Sequence, residues 1–314
     1  MSTPDGIPAF LFQQVQTAYG EDEANQIFDG YRQAAQRPTT LRANALKASA
    51  EEVAEALDEA GVPFERVPWY KDAFVAHAPS ERDIWNMEIY RQGGIYLQSL
   101  SSMLPPLALA PREGADILDM CAAPGGKTSQ IAALTHGAAH ICACELNAPR
   151  AEKLQYNMDK QGVSNLQIMR AAARKRDEFF SFDQILLDAP CTGTGTVRAG
   201  DPKMEKRITQ QLLAKVTRSQ RALLDRGLTV LKRGGTLVYS TCSILPEEND
   251  RMLASVLKRH RDCEIVPIDP QTLAAAPDNP DLALPCLPNE LEGTVTVCPT
   301  RLFEGFFIAA IKKA

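Results

Sequence analysis

The segment Phe182-Asp-Gln-Ile-Leu-Leu-Asp188-Ala-Pro-Cys191 decides the fold, because an apolar run held between two aspartates and stopped by a proline reads as a buried strand. A second run, Gly235-Thr-Leu-Val-Tyr-Ser240-Thr-Cys242-Ser243, is built the same way. Strands buried on both faces belong to the interior of a parallel sheet, and open α/β folds carry their ligand sites at the carboxyl ends of such strands. Cys191 and Cys242 stand just past those ends, so both sulfurs are expected to point into one crevice. One catalytic thiol is common; two suggest a covalent reaction in two stages.

Outward from these runs the pattern alternates. Strands are expected at 115–119, 138–145, 166–169, 182–188, 235–240 and 306–311, with helices from Lys127, from Asn147, over 208–232 and from Pro246. This predicts an α/β fold with a doubly wound, mostly parallel sheet. Residues 267–299 are proline-rich and poorly periodic and read as a surface excursion. Ahead of this region a smaller α+β unit is expected: a strand at 40–46, a helix capped by Ser49 with Glu52 at capping-box spacing, and strands at 64–69 and 73–77. That order is half of a split β-α-β unit. The chain then divides into a helical segment 1–38, a small RNA-recognition-like unit 39–92 and a catalytic domain 93–314.

The length of 314 residues suits one large domain with a smaller companion, and 45% hydrophobic and 23% charged residues are ordinary for a soluble protein. No apolar run reaches the roughly 18 residues a membrane span needs; Leu100–Ala110 is broken by Pro105 and Pro106. The start Met1-Ser-Thr-Pro-Asp lacks a secretory pattern, so a cytoplasmic monomer with eight reduced cysteines is expected. With no Cys-x-x-Cys pair and with His77, His136, His140 and His260 scattered, no metal is expected. The net charge of -5 hides an asymmetry: residues 1–110 carry 8 basic and 15 acidic side chains, whereas 198–233 carry ten basic against three acidic. Taken alone, such a stretch is a solvated helix face; beginning just past Cys191, it is placed to neutralise phosphates beside the crevice.

Ile117-Leu-Asp119-Met-Cys121-Ala-Ala-Pro124-Gly125-Gly126-Lys127-Thr128 is a strand, a glycine turn and a helix start, a shape that lets a ligand approach bare backbone. A Walker loop needs glycine where Cys121 stands, so ATP and GTP are discounted. Glu145 ends the next expected strand, where doubly wound nucleoside binders place a carboxylate on ribose hydroxyls. The shorter turn favours S-adenosylmethionine over a dinucleotide. Cys142 and Cys144, on one face of that strand, read as buried apolar thiols. A thiol beside a methyl donor suits carbon methylation of a pyrimidine: carbon 5 of cytosine is a feeble nucleophile until a thiolate adds to carbon 6 and makes the ring an enamine. A base must then remove the carbon 5 proton, and the thiolate leaves by elimination.

On Asp119–Thr128, Glu145 with Arg150–Gly162, Phe182–Gly195 with Asp201-Pro202, Gly234–Asn249 and Gly305–Ala309, the chain resembles the Sun-type (Nol/Nop/Sun) RNA (cytosine-5) methyltransferases from about residue 38 onward. Arg42-Ala-Asn44 and Tyr96-Leu-Gln98 match the family's amino-terminal elements. The resemblance implies a Rossmann-like S-adenosylmethionine-dependent methyltransferase acting on an unpaired or flipped cytidine in ribosomal or transfer RNA. It implies Cys242 as nucleophile, Cys191 as the thiol that assists release, Asp188 on ring nitrogen 3 and the amino group, and Lys127 beside the base. It also implies that Cys121, Ala122, Ala123, Pro124, Gly125, Gly126 and Lys127 wrap the cofactor, with Glu145 on its ribose and Arg150 and Asp188 among its contacts. The alternative is a catalytically idle RNA-binding or ribosome-assembly factor that keeps the fold.

One departure falls at Arg170-Ala-Ala172-Ala-Arg174, where the family usually carries an acidic residue touching the cofactor's adenosine and Ala172 stands instead. A lost hydrogen bond of about 0.5 to 1.5 kcal/mol weakens binding up to about tenfold. Ala172→Asp is therefore expected to lower the cofactor's dissociation constant in calorimetry; an unchanged constant contradicts this reading.

Overall fold

The computed structural model describes residues 6–78, 80–170 and 181–314. Helix α1 (Ala9–Gln33) is broken at Gly20, where a φ of 79° favours glycine. Both of its halves bury apolar side chains, Leu11 and Val15 from one and Ile27 and Tyr31 from the other, in a cluster with Val197, Ile208, Ile244 and Leu245. The amino-terminal helix thus packs on loops that follow both thiols.

The small sheet comprises β1 (Thr39–Ala43), β2 (Phe64–Arg66), β3 (Ala73–Ala76) and β4 (Ile95–Leu97), antiparallel throughout in the order β2-β3-β1-β4. Helix α2 (Ala50–Glu59) starts with the expected capping box: Ser49 Oγ accepts from the Glu52 N–H at 3.1 Å, and the Glu52 carboxylate accepts from the Ser49 N–H at 2.7 Å. Two short helices, α3 (Glu81–Asn86) and α4 (Glu88–Arg91), lead into β4. The fourth strand therefore comes from beyond residue 92, because three residues are too few to display a period of two.

Helix α5 (Leu100–Leu109) holds Pro105 and Pro106 inside it, in the run the sequence reads as interrupted. Proline at 106 leaves the Ser102 carbonyl without its intrahelical donor. Gln98 Nε2 fills that place at 3.0 Å, and α5 lies buried against the large sheet.

The centre of that sheet is parallel: β5 (Asp116–Asp119), β6 (His140–Cys144), β7 (Leu166–Met169), β8 (Phe182–Asp188) and β9 (Leu231–Thr241) pair as β9-β8-β5-β6-β7. Crossovers run through α6 (Gly126–Leu134), α7 (Ala148–Gln161), α8 (Pro202–Arg207) and α9 (Gln210–Val230). Helix α10 (Asp250–Leu257), β10 (Cys263–Val266), α11 (Pro270–Leu273), β11 (Cys286–Leu287), β12 (Val295–Val297) and β13 (Phe306–Lys313) follow. Strand β13 runs antiparallel to β9 and carries β12 and then β11 outward, with β10 also paired to it.

Three expectations shift. The helical stretch 208–232 is α9 alone, capped by Thr209, and residue 231 already begins β9. The helix expected from Pro246 begins at Asp250, because Glu248 and Asn249 N–H groups close turns on Leu245 and Pro246. The excursion 267–299 adds β11 and β12 to the sheet edge, pieces too short to show periodicity.

Arg42 joins the small sheet to α6. It is fully buried, and its guanidinium donates to Ser129 Oγ at 2.9 Å and to Gln98 Oε1 at 3.3 Å, with its carbon 5.9 Å from the centre of the Tyr96 ring. Two residues on, Asn44 Nδ2 donates to the Gly93 and Gln161 carbonyls at 2.9 and 2.8 Å. Arg42→Ala is expected to lower the unfolding free energy by about 2 to 4 kcal/mol, with Arg42→Lys a poor rescue because it lacks the planar fork. Urea denaturation measures this, and an unchanged midpoint would show that the junction does not hold the small sheet to α6.

Candidate active site

Strands β8 and β9 pair in parallel with Asp188 beside Ser240, and the Ala189 N–H continues the ladder to the Ser240 carbonyl at 2.8 Å. Beyond that rung the chains diverge into two loops, each bearing a thiol. Cys191 and Cys242 are brought together with their sulfurs 3.0 Å apart, both as free thiols. Hydrogen bonding to Cys242, then burial, pushes the Cys191 thiol well above its ordinary range. Either sulfur can donate in this contact.

Glycine positions the Cys242 loop. The Gly195 N–H donates to the Cys242 carbonyl at 3.0 Å, and the Gly195 carbonyl accepts from the Gly305 N–H at 2.8 Å. A Cβ at Gly195 would lie 1.8 Å from the Gly305 oxygen, so the two backbones meet only because neither has a side chain.

Asp188 ends β8 facing the same space. Its Oδ1 accepts from Ser240 Oγ at 2.8 Å and its Oδ2 from Lys127 Nζ at 2.7 Å. Lys127, on the first turn of α6, also donates to Ser102 Oγ at 2.9 Å and lies 5.3 Å from the centre of the Phe306 ring. Burial alone disfavours its ammonium, but Asp188, Cys242 and Asp119 outweigh that and hold it above the usual lysine range. A fixed cation thus stands against the carboxylate, close enough to Cys242 to feel its charge.

The glycine turn follows β5 as expected. Gly125 takes a φ of 112°, open to glycine, and leads into α6. Asp119 accepts from Thr128 Oγ1 at 2.7 Å and from the Cys121 N–H at 3.3 Å. Helix α7 braces the turn from outside: Arg150 donates to the Ala123 carbonyl and Asn157 to the Pro124 carbonyl, both at 2.7 Å. Glu145 accepts from the Asn147 N–H at 2.8 Å and pairs with Arg150 at 3.2 Å.

These elements enclose a cleft of about 330 Å³. Cys121, Ala122, Ala123, Pro124, Gly126, Lys127, Asp188 and Cys242 lie in its wall, whereas Gly125, Glu145, Arg150 and Cys191 sit just outside it. Three carboxylates, of Asp119, Asp188 and Glu304, face one ammonium, that of Lys127. That donor set suits a ligand that brings positive charge and opposes a phosphate. Cys142 and Cys144 are buried, as expected. Ala172 lies outside the described residues.

Residue-by-residue reading missed Ser240, Ser102, Tyr96, Glu304 and Phe306, all around the cleft. Ser240, Tyr96 and Phe306 stood inside segments already singled out; Ser102 and Glu304 carry no local signal, because they reach the cleft only through tertiary packing. The basic segment divides: Arg207 reaches Gly193, where a Cβ would come 2.8 Å from its guanidinium, and Arg198 and Lys203 are exposed nearby in the chain. Lys232 lies at the opposite ends of the strands, paired with Asp116 and Asp183 at 3.0 Å.

A family model described as 16S rRNA methyltransferase RsmB/F matches residues 106–312, and one described as a RsmF/B-like ferredoxin-like domain matches residues 7–81. The ribosomal RNA small subunit methyltransferase F of Shewanella amazonensis is 35% identical over 282 residues, covering 87% of this chain and 58% of that protein. The chain spans about three fifths of the length of the curated relatives it matches. The crystal structure of a methyltransferase homolog protein from Pyrococcus horikoshii is 33% identical, with a TM-score of 0.79 over 96% of this chain and 94% of that one. That of NSun6 from Pyrococcus horikoshii with SFG, at 23% identity, gives a TM-score of 0.83 over 99% of both chains, a likeness of fold.

Burial raises the carboxyl of Asp119 from its ordinary 3.8 to about 6. Between these values the folded state holds a proton that the unfolded chain has released, so this group makes stability fall as pH rises. Asparagine keeps both contacts, accepting from Cys121 and donating to Thr128. Asp119→Asn is expected to remove that fall, with a gain near neutral pH of at most about 3 kcal/mol, seen in urea midpoints from about pH 4 to pH 7. Parallel pH profiles for the two proteins would contradict it.

Proposed function

Because the chain belongs to the 16S rRNA methyltransferase RsmB/F family, we propose that it methylates carbon 5 of a cytosine in structured RNA, ribosomal RNA in the first instance. The observation that carries this reading is the pair of thiols 3.0 Å apart at one wall of a cleft rich in carboxylates. S-adenosylmethionine, bound along Cys121–Lys127, supplies an electrophilic methyl group on a sulfonium centre. Its ammonium and sulfonium charges fit the excess of carboxylates over Lys127.

Cys242 lies in the cleft wall and Cys191 behind it, which suits Cys242 as the attacking sulfur. Its sulfur is in contact with that of Cys191 and lies in the field of the Lys127 ammonium. Attack at carbon 6 moves the ring electrons toward carbon 5, while Asp188 holds ring nitrogen 3 and the amino group, helping protonate the ring as Cys242 adds. Carbon 5 then takes the methyl group. Release requires that carbon 5 lose its proton to a base, that the ring double bond re-form and that the bond between Cys242 and carbon 6 break; Cys191 assists this step. The base must leave its stack to expose either carbon, and we assign the exposed Arg198, Lys203 and Arg207 to hold the RNA phosphates. A cytoplasmic setting keeps both sulfurs reduced. We take the working unit to be a monomer.

Incubated with RNA and S-adenosylmethionine, Cys191→Ala is expected to accumulate a protein–RNA adduct that survives a denaturing gel, and Cys242→Ala to give none. Bisulfite sequencing of RNA from cells with and without the protein locates the cytidine. An adduct formed by Cys242→Ala would overturn the assignment.

A further inference from the structure

Directly behind the two thiol loops lies a carboxylate that the reaction above does not use. Glu248 is fully buried, in the turn between β9 and α10. Its Oε1 accepts from the Thr192 N–H at 2.9 Å and from Gln220 Nε2 at 3.0 Å; its Oε2 accepts from the hydroxyls of Thr192 and Ser243, both at 2.5 Å. Thr192 follows Cys191, and Ser243 follows Cys242. One carboxylate therefore grips the residue next to each thiol.

The surrounding contacts make this grip rigid. Gln220, on α9, also donates to the Pro190 carbonyl at 3.0 Å, and the Tyr239 hydroxyl donates to the Glu248 backbone carbonyl at 2.6 Å. Ser243 Oγ further accepts from the Leu245 N–H at 3.2 Å and lies 2.8 Å from Thr194 Oγ1. A carboxylate sealed from water is costly unless its lone pairs are filled, and here four donors converge on it. Glu248, Thr192, Ser243 and Gln220 all lie outside the wall of the cofactor cleft, so the network acts on the thiols and not on the cofactor.

We propose that Glu248 is a positioning residue for the two-thiol reaction: by bridging Thr192 and Ser243 it fixes the separation of Cys191 from Cys242, keeping the thiol that assists release in reach of the one that attacks. This rests on the reading of the reaction given above. The network also says which substitute works. A glutamine at 248 can place its carbonyl oxygen toward the Thr192 N–H, which cannot reverse, and toward the Gln220 amide, which Pro190 holds as a donor, and its own amide toward the two hydroxyls, which can reverse. Alanine can do neither.

The first test needs no RNA. Diamide oxidises the Cys191 and Cys242 thiols to a disulfide, its azo bond taking up the two hydrogens, and mass mapping of that bridge reports how closely the sulfurs are held. Glu248→Ala is expected to cross-link more slowly than wild type by about tenfold or more, and Glu248→Gln within about threefold, with the S-adenosylmethionine dissociation constant unchanged in both. With RNA, Glu248→Ala is expected to accumulate the covalent adduct as Cys191→Ala does, and Glu248→Gln to turn over. Should Glu248→Ala not fold, the pair Thr192→Val and Ser243→Ala removes the two hydroxyl donors and is expected to slow cross-linking in the same sense. Cross-linking at the wild-type rate in these variants, or a glutamine variant as impaired as alanine, overturns the proposal. Normal dependence of cross-linking on Glu248 with no RNA adduct even in Cys191→Ala leaves the positioning role standing and removes the proposed reaction.

Discussion

The parallel pairing of β8 with β9, in the register that sets Asp188 beside Ser240, is the constraint on which the rest depends. A one-residue slip would turn every side chain on β9 to the opposite face and separate the sulfurs. The register is secured by burial: Ile185, Leu186 and Leu187 on β8, with Leu237, Val238 and Tyr239 on β9, are fully enclosed. The hydrophobic effect thereby fixes a chemical distance. Past the last rung, backbone contact between Gly195 and Gly305 and the hydrogen bonds around the thiol loops continue what the ladder begins.

The surroundings of these two chemically identical groups differ. Cys191 sits in a buried, proton-holding environment, whereas Cys242 looks toward the Lys127 ammonium and the cleft. The Lys127–Asp188 pair is itself largely desolvated and would be costly if either partner were missing; its further hydrogen bonds from Ser240 and to Ser102 satisfy it. The small sheet also contributes to this arrangement. Through Arg42 it reaches Ser129 on α6, the helix that carries Lys127 on its first turn.

Much of the architecture was legible because its signals are local. The apolar runs of β8 and β9, the Ser49 capping box and the glycine turn after β5 each lie within a dozen residues of sequence, and each formed where expected. The two thiols were legible because both sit immediately after such runs. Elements whose stability comes from distant partners were not. Strand β4 and the pair β11 and β12 are too short to show a period, and α5 survives two prolines through a side chain, Gln98, that precedes it. Ser102 and Phe306 enter the cleft only because α5 and β13 pack there, and the bridge from Glu248 spans residues 192 to 248. No window of sequence contains those contacts.

The central claim is that the sulfur of Cys242, and not that of Cys191, bonds to carbon 6 of the target cytosine. The most direct measurement is peptide mapping by mass spectrometry after reaction with an RNA carrying 5-fluorocytidine, whose carbon–fluorine bond blocks the final elimination. The account predicts a methylated fluorocytidine attached to the peptide that contains Cys242. Attachment to the peptide containing Cys191, or methylated RNA released with no trapped peptide, would contradict it.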